Sequence, residues 1–396
     1  MDASLANIDP SKVLQLVERL DFPRVVGSDG ENRAFEIIRE EMERFGVPVA
    51  FEEFTSPWMD FTQAFVEIGS KQLPIEPLIS PVYNHKWLPI PKTVEIEGRL
   101  IDGPIPEHET EAYIALRKQC EIDRPCMPGT SAQVFVCPPE DSFIAYYLAC
   151  HKLIPSAYLN IEYAASLLQS IGSVCRFYWD SREVDKTLRN MTAEIKGTKI
   201  PNEIILVGAH IDSWPGTVGA SDNASGTAML VEFANWFVAH PPVRTVRFVW
   251  FTGEELDRRG SRAYVTMHSQ DKDTVCLYVN LDSGVSIEHS KPRVAVTGSS
   301  RLIGALQQLM VEIGKDIPVF ESEFGSTDTV AFHNQGIATV HVCARYRTPY
   351  PHPHLPTDRF DKLDIKKLRL IGGLSLSIID AAQKGELPLE TQRDRR

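Results

Sequence analysis

The chain has 396 residues, enough for one large domain or for a core with an inserted module. Its 43% hydrophobic and 24% charged residues are ordinary for a folded globular protein and argue against disorder. A formal net charge of −12 argues against a nucleic-acid partner, which needs a basic face for phosphates, and mildly favours cationic ligands such as a free α-amine.

The first residues carry neither a basic nor an apolar signal segment. No stretch approaches the roughly 20 apolar residues that span a bilayer. A cytoplasmic protein with no membrane partner is therefore expected, and no feature bears on oligomeric state. Two helical patterns follow within residues 11–46. In the first, Val13, Leu14, Val17 and Leu20 recur at helical spacing, with Ser11 placed to cap them. In the second, Ala34, Ile37, Ile38, Met42 and Phe45 recur until Gly46 stops the helix. A strand is predicted over residues 47–54.

Residues 58–180 differ: prolines and cysteines are frequent and periodicity is weak. Residues 94–101 alternate like a strand and residues 143–153 read as a helix. An inserted, smaller β-rich module is expected here. The seven cysteines are irregularly spaced and form no CxxC pair, so free thiols are expected rather than a metal site at Cys120, Cys126 and Cys137.

Strands and helices alternate from about residue 185. Strands are predicted at 191–195, 204–207, 243–251, 275–281 and 338–343, and helices at 224–239, 261–268, 302–313 and 366–382. This order implies a mostly parallel mixed sheet covered on both faces, a three-layer αβα sandwich with its site at the carboxyl ends of the strands. Residues 1–57 and 181–390 would then form one core domain, with 58–180 inserted and 391–396 a charged tail.

Five clusters follow predicted strands or a stiff loop. His210 and Asp212 stand two apart on an extended segment, so both point the same way. The imidazole can bind a metal while the acid orients its other nitrogen. Asp222 sits in a small-residue loop at a helix mouth, as an N-cap or as a carboxylate shared by two ions. Glu254 and Glu255 end a strongly apolar strand, one suited to metal and the other to act as base. Asp282 ends another buried strand, as a ligand or a turn residue. Residues 349–358 form a proline-stiffened loop that carries His352 and His354. A histidine and a carboxylate for each of two ions, a shared carboxylate and a free base are what a two-metal site requires. No HExxH and no GxSxG occurs, which closes the zincin and serine-hydrolase routes.

In order and interval, His210-Ile211-Asp212-Ser213, Ala220-Ser221-Asp222-Asn223-Ala224-Ser225-Gly226, Thr252-Gly253-Glu254-Glu255, Asn280-Leu281-Asp282 and His354-Leu355-Pro356-Thr357-Asp358 resemble the M28 family of zinc aminopeptidases. Ser326-Thr327-Asp328 and residues 332–337 are similar to a further family segment. The resemblance implies two zinc ions and removal of the first residue from peptides with a free N-terminus. It places His210 and Asp282 on one zinc, Glu255 and His354 on the other, and Asp222 across both with the attacking water. Glu254 becomes the general base and Asp212 supports His210. A cis peptide at Asp222–Asn223 is also implied. Family members often carry a tyrosine directly before the last histidine as an oxyanion donor. Pro353 stands there in this chain, and Tyr346, Tyr350 and His352 are the candidates to replace it. Residues 97–101 and 154–159 resemble the opening and closing strands of a protease-associated domain, which some M28 enzymes carry inserted at this point.

Two other readings compete. One is a two-zinc carboxypeptidase or amidase on the same fold, against which the run 222–226 favours the aminopeptidase branch. The other is a non-catalytic, receptor-like binding module. Such receptors lack the metal ligands, whereas here all five ligand positions and the base are filled.

Overall fold

Successive side chains of a buried strand point to opposite faces of its sheet, and in this protein the two faces bury different helices. The computed structural model describes residues 6, 8–77, 82–83, 86–87, 92–102, 112–118, 130–136, 156–159, 163–214, 217–271, 274–282, 284–287, 290–322, 327–344, 354 and 357–389. In chain order these form α1 (Pro10–Arg19), α2 (Asp29–Arg44), β1 (Val49–Ile68), β2 (Lys71–Pro77), β3 (Val82–Tyr83), β4 (Lys86–Trp87), β5 (Thr93–Ile101), β6 (Tyr113–Lys118), β7 (Thr130–Val136) and β8 (Ser156–Leu159). Then come α3 (Ala164–Leu168), β9 (Val174–Ile195), β10 (Ile200–His210), α4 (Ser225–Ala239), β11 (Arg244–Phe251), α5 (Arg259–Met267) and β12 (Val275–Asn280). The chain ends with β13 (Arg293–Thr297), α6 (Ser300–Glu312), β14 (Val319–Glu321), α7 (Thr329–His333), β15 (Thr339–Cys343) and α8 (Ile365–Lys384). Two compact units result: Met1–Phe54 with Thr187–Pro353 and Thr357–Arg396, and Thr55–Lys186 with His354–Pro356.

In the first unit the strand order is β9-β11-β10-β12-β15-β13-β14. The pairs β11–β10, β10–β12, β12–β15 and β13–β14 are parallel, whereas β9 and β13 run antiparallel to their neighbours β11 and β15. Along β10, Ile205, Val207 and Ala209 share a core with Val17 of α1, Phe35 of α2, Phe233 of α4 and Ile379 of α8. Ile204 and Leu206 instead pack with Tyr264 of α5 and Phe332 of α7. β11 divides in the same way, Val246, Phe248 and Trp250 against Val249 and Phe251. This is the three-layer αβα arrangement with a mostly parallel sheet that the strand–helix alternation predicts. Each fully buried Leu, Ile or Phe of these layers contributes roughly 1.5–3 kcal/mol of transfer free energy. α4 is buried on most of its faces, which explains why its sequence lacks a broad polar stripe.

The second unit is a sheet of order β1-β2-β8-β7-β6-β5-β9, with α3 beside it. Val66, Leu73, Leu100, Ile114, Val134, Phe177 and Trp179 form its core. β1 and β9 extend well beyond the predicted 47–54 and 191–195, because much of their length is partly exposed and lacks an apolar run. Asp9, not Ser11, caps α1: its carboxylate accepts the Ser11 N–H at 3.0 Å. The short strands β13 and β14 had no sequence signal strong enough to predict them. The predicted helix at 143–153 and the tail 391–396 lie outside the described residues. Among the described residues, Cys175 is a free thiol, and no helix is long and apolar enough to cross a membrane.

One ionic cluster ties β1, β9, β11 and α5 of the first unit. Arg247 donates from Nε to Glu194 at 2.9 Å and from Nη1 to Asp271 at 2.8 Å. His268 faces Asp271 through Nδ1 and Glu52 through Nε2, each at 3.1 Å, and stacks on Tyr264. The hydrogen bond to Glu52 outweighs burial and raises the His268 pKa above its ordinary 6.5. A raised folded pKa stabilises the fold below the unfolded value and loses that contribution as pH rises through the folded one. His268→Gln is therefore expected to lower the melting temperature most near about pH 6 and least in alkaline solution. Melting curves of both proteins across pH measure this; a pH-independent difference would assign the residue to packing alone.

Candidate metal centre

Three neighbouring parallel strands, β11, β10 and β12, end at one edge of the sheet. His210 closes β10 opposite Phe251 of β11, and Asn280 of β12 pairs with Gly208. The residues just beyond these ends, Asp212, Glu254, Glu255 and Asp282, are thus delivered to one place by register. His210 Nε2 lies 3.1 Å from Asp222 Oδ1 and 3.5 Å from Asp282 Oδ1. His210, Asp222 and Asp282, all buried, each offer a ligand atom within 4.8 Å of the others. Glu255 follows Glu254 directly beyond the end of β11, and Asp212 of the same edge accepts its main-chain N–H.

In the loop before α4 the N-cap role does not fall to Asp222. Asn223, not Asp222, supplies the side-chain acceptor at the helix start: its Oδ1 takes the Gly226 N–H at 3.1 Å, while its Nδ2 donates to Leu281 O at 2.8 Å. Gly226 permits this approach, since a Cβ there would stand 2.5 Å from Leu281 O. The Asp222–Asn223 peptide is cis.

Asp212 behaves differently from the simple orienting role. His210 Nδ1 lies 3.1 Å from the Asp212 main-chain oxygen and 3.5 Å from its Oδ1. The Asp212 carboxylate also accepts the N–H groups of Glu254 and Glu255, each at 3.2 Å. One buried carboxylate therefore fixes both the histidine strand and the tandem glutamates. Two residues on, Asp257 (φ 69°) and Arg258 (φ 57°) are left-handed without being glycine, a costly backbone that tight structures hold near functional sites. The Asp257 carboxylate secures the turn by pairing with Arg258 and Arg262.

The electrostatics are those of crowded acids. Burial raises the pKa of Glu254, Asp282, Asp328 and Glu255 raise it further, and His210 opposes them. Burial and then Asp222 do the same to Glu255. Burial alone would lower the His210 pKa, but hydrogen bonds to Asp212, Asp222 and Asp282 carry it well above its ordinary value. Asp328, buried at the start of α7, is pushed up to about 7 by burial. A nitrogen and several carboxylate oxygens drawn together in low dielectric fit a divalent cation, whose charge offsets their repulsion. Tyr346, Tyr350 and His352 lie outside the described residues.

The sequence profile of Peptidase family M28 matches residues 190–379. Residues 190–379 belong to this family. Aminopeptidase YwaD of Bacillus subtilis (strain 168) is 31% identical over 219 residues, which are 51% of this chain and 48% of that protein. Carboxypeptidase Q of Rattus norvegicus is 31% identical over 123 residues, 31% of this chain and 25% of that protein. The chain thus spans about half or less of the length of these curated relatives. The structure of BSAP, a zinc aminopeptidase from Bacillus subtilis, superimposes with a TM-score of 0.71 at 21% identity, covering 94% of this chain and 93% of that one, a likeness of fold.

Three residues without an assigned role support the loop: Asn223 and Asp358 within the matched residues, and Arg24 outside them. Asn223 and Asp358 lay within the clusters that resemble the M28 family, with no role given to either. Arg24 carried no local signal because its partners are main-chain oxygens. For Asp212 the geometry predicts that Asp212→Asn, which leaves one glutamate N–H facing an amide group, weakens zinc binding by roughly 10–100-fold. Chelator competition on the folded variant checks this, and unchanged affinity would remove Asp212 from support of the centre.

Proposed function

We propose that the chain is a metallo-exopeptidase that removes N-terminal residues from peptides and holds two zinc ions. His210 and Asp282 would hold one ion, Glu255 and His354 the other, and Asp222 both. The observation that carries this reading is the buried group His210, Asp222 and Asp282, at the edge where three parallel strands end. Membership of residues 190–379 in the M28 family and the aminopeptidase relative agree with it.

Zinc, when bound, lowers the pKa of a coordinated water and polarises the scissile carbonyl. The chain's own residues do the rest. Glu254 adjoins the ligand Glu255 and is partly exposed, so its carboxylate is the free base of the tandem pair. Burial raises its proton affinity, which suits a group that takes a proton from the attacking water and returns it to the leaving amine. Asp212 fixes the main chain of both glutamates and so sets the distance between ligand and base. A free α-amine is the substrate charge that this acidic setting attracts. A carboxypeptidase reading is favoured by one observation, the similarity to Carboxypeptidase Q.

Glu254→Gln is expected to keep its zinc and lose about 10²–10⁴-fold in turnover. Near-normal turnover would take Glu254 out of the base role. Asp222→Ala and His354→Ala are expected to lose zinc, measured by metal analysis of the folded proteins; full two-ion occupancy in either refutes the ligand assignment. Wild-type protein should hydrolyse aminoacyl p-nitroanilides, reversibly inhibited by chelator. Cleavage confined to N-blocked peptides with a free C-terminus favours the carboxypeptidase, and a folded wild type without zinc favours a binding module.

A further inference from the structure

Arg24, in the connection between α1 and α2, is fully buried. Its guanidinium donates to five main-chain oxygens: Nε to Ile211 at 2.9 Å, Nη1 to Leu20 at 2.9 Å, Phe22 at 3.2 Å and Val218 at 2.6 Å, and Nη2 to Gly219 at 3.1 Å. Two of the segments it joins lead straight to the centre. Ile211 lies between His210 and Asp212, and Val218 and Gly219 open the loop that ends in Asp222. The main chain adds a second tie. Arg24 N–H donates to Ser213 Oγ at 3.0 Å, Ser213 N–H donates to Arg24 O at 3.1 Å, and Ser213 Oγ donates to Thr217 O at 3.1 Å.

The same loop is gripped from elsewhere by Asp358, itself buried. Its Oδ1 accepts the Ser221 N–H at 2.8 Å, its Oδ2 the Asp222 N–H at 2.9 Å, and its main-chain oxygen the Ala220 N–H at 3.2 Å. The loop's carbonyls are thus held by a guanidinium and its N–H groups by the oxygens of Asp358. A planar fork of five N–H donors is what converging carbonyls need, and no neutral side chain supplies it. Burial pulls the Arg24 pKa down to about 10, with Asp212, Asp358 and Asp222 opposing, so the group stays charged at neutral pH.

We propose that Arg24 and Asp358 form a two-sided clamp on residues 218–222, and that both are positioning residues which set zinc affinity by fixing Asp222. The clamp rests on the reading of Asp222 as a ligand. A residue that merely supported the fold would change folding stability and leave the zinc affinity of the folded protein intact.

The test uses the full chain and the variants Arg24→Met, Arg24→Lys and Asp358→Asn. Asp358→Asn is isosteric and replaces one accepting oxygen by an amide that faces an N–H. Folding is checked by circular dichroism, and zinc affinity by competition with a chromophoric chelator. Folded Arg24→Met and Asp358→Asn are expected to bind zinc roughly 10–100-fold more weakly. Arg24→Lys, with three donors, is expected to fall between Arg24→Met and wild type. Cobalt(II) absorption spectra of the variants should shift, since ligand geometry changes. If Arg24→Met does not fold, Arg24→Lys and Asp358→Asn decide: zinc affinity within twofold of wild type in both overturns the clamp. A wild type that binds no zinc overturns the ligand reading and the clamp together, whereas a zinc-binding wild type with equally competent variants overturns the clamp alone.

Discussion

The structure depends on a conflict between burial and charge at one edge of the sheet. β11, β10 and β12 are apolar because they are covered on both faces, and their shared parallel direction brings their carboxyl ends together. At those ends stand His210, Asp212, Glu254, Glu255 and Asp282, most of them buried. Burial raises the proton affinity of Glu254 and Glu255, and the carboxylates crowded around them raise it further. Such an arrangement persists only where something offsets the repulsion. The chain itself offers main-chain N–H groups to Asp212 and Asp358, and the buried Arg24 nearby. Under the proposed reading two zinc ions supply the remainder.

Much of this was legible in the sequence because α/β folds tie function to strand ends. Once 204–207, 243–251 and 275–281 read as buried strands, the polar residues immediately after them became candidates whatever their local bland reading. Asp222 shows where local reading stalls. An acid at a helix mouth is an N-cap or a ligand, and the structure puts the acceptor at the helix start on the Asn223 side chain, which takes the Gly226 N–H. Arg24 shows a deeper limit: a residue whose partners are main-chain oxygens leaves no complementary side chain to find. The long strands β1 and β9 were truncated for another reason, since a strand partly exposed along much of its length lacks the apolar run that marks a buried one. The cap of α1 was misplaced by two residues because Asp9 and Ser11 are both good cap types and spacing alone does not rank them.

The candidate ligand groups by themselves do not distinguish which end of a peptide is attacked, because relatives of residues 190–379 carry both aminopeptidase and carboxypeptidase names. The discrimination must come from the charge that meets the substrate terminus. A terminal carboxylate needs a cation free to pair with it, and a terminal amine needs uncommitted acid. Arg258 lies within the electrostatic field of Glu254 and Asp328, but Asp257 already pairs with it through a strained left-handed turn. Asp257 also takes Arg262, so the local cations are matched to an acid of their own. Arg24 is likewise committed to five carbonyls and fully buried. Glu254, by contrast, is partly exposed and raised in proton affinity. Among the described residues the cations beside Glu254 are thus committed to acids or carbonyls of their own, which under the proposed reading leaves the carboxylates of this edge to meet a substrate amine.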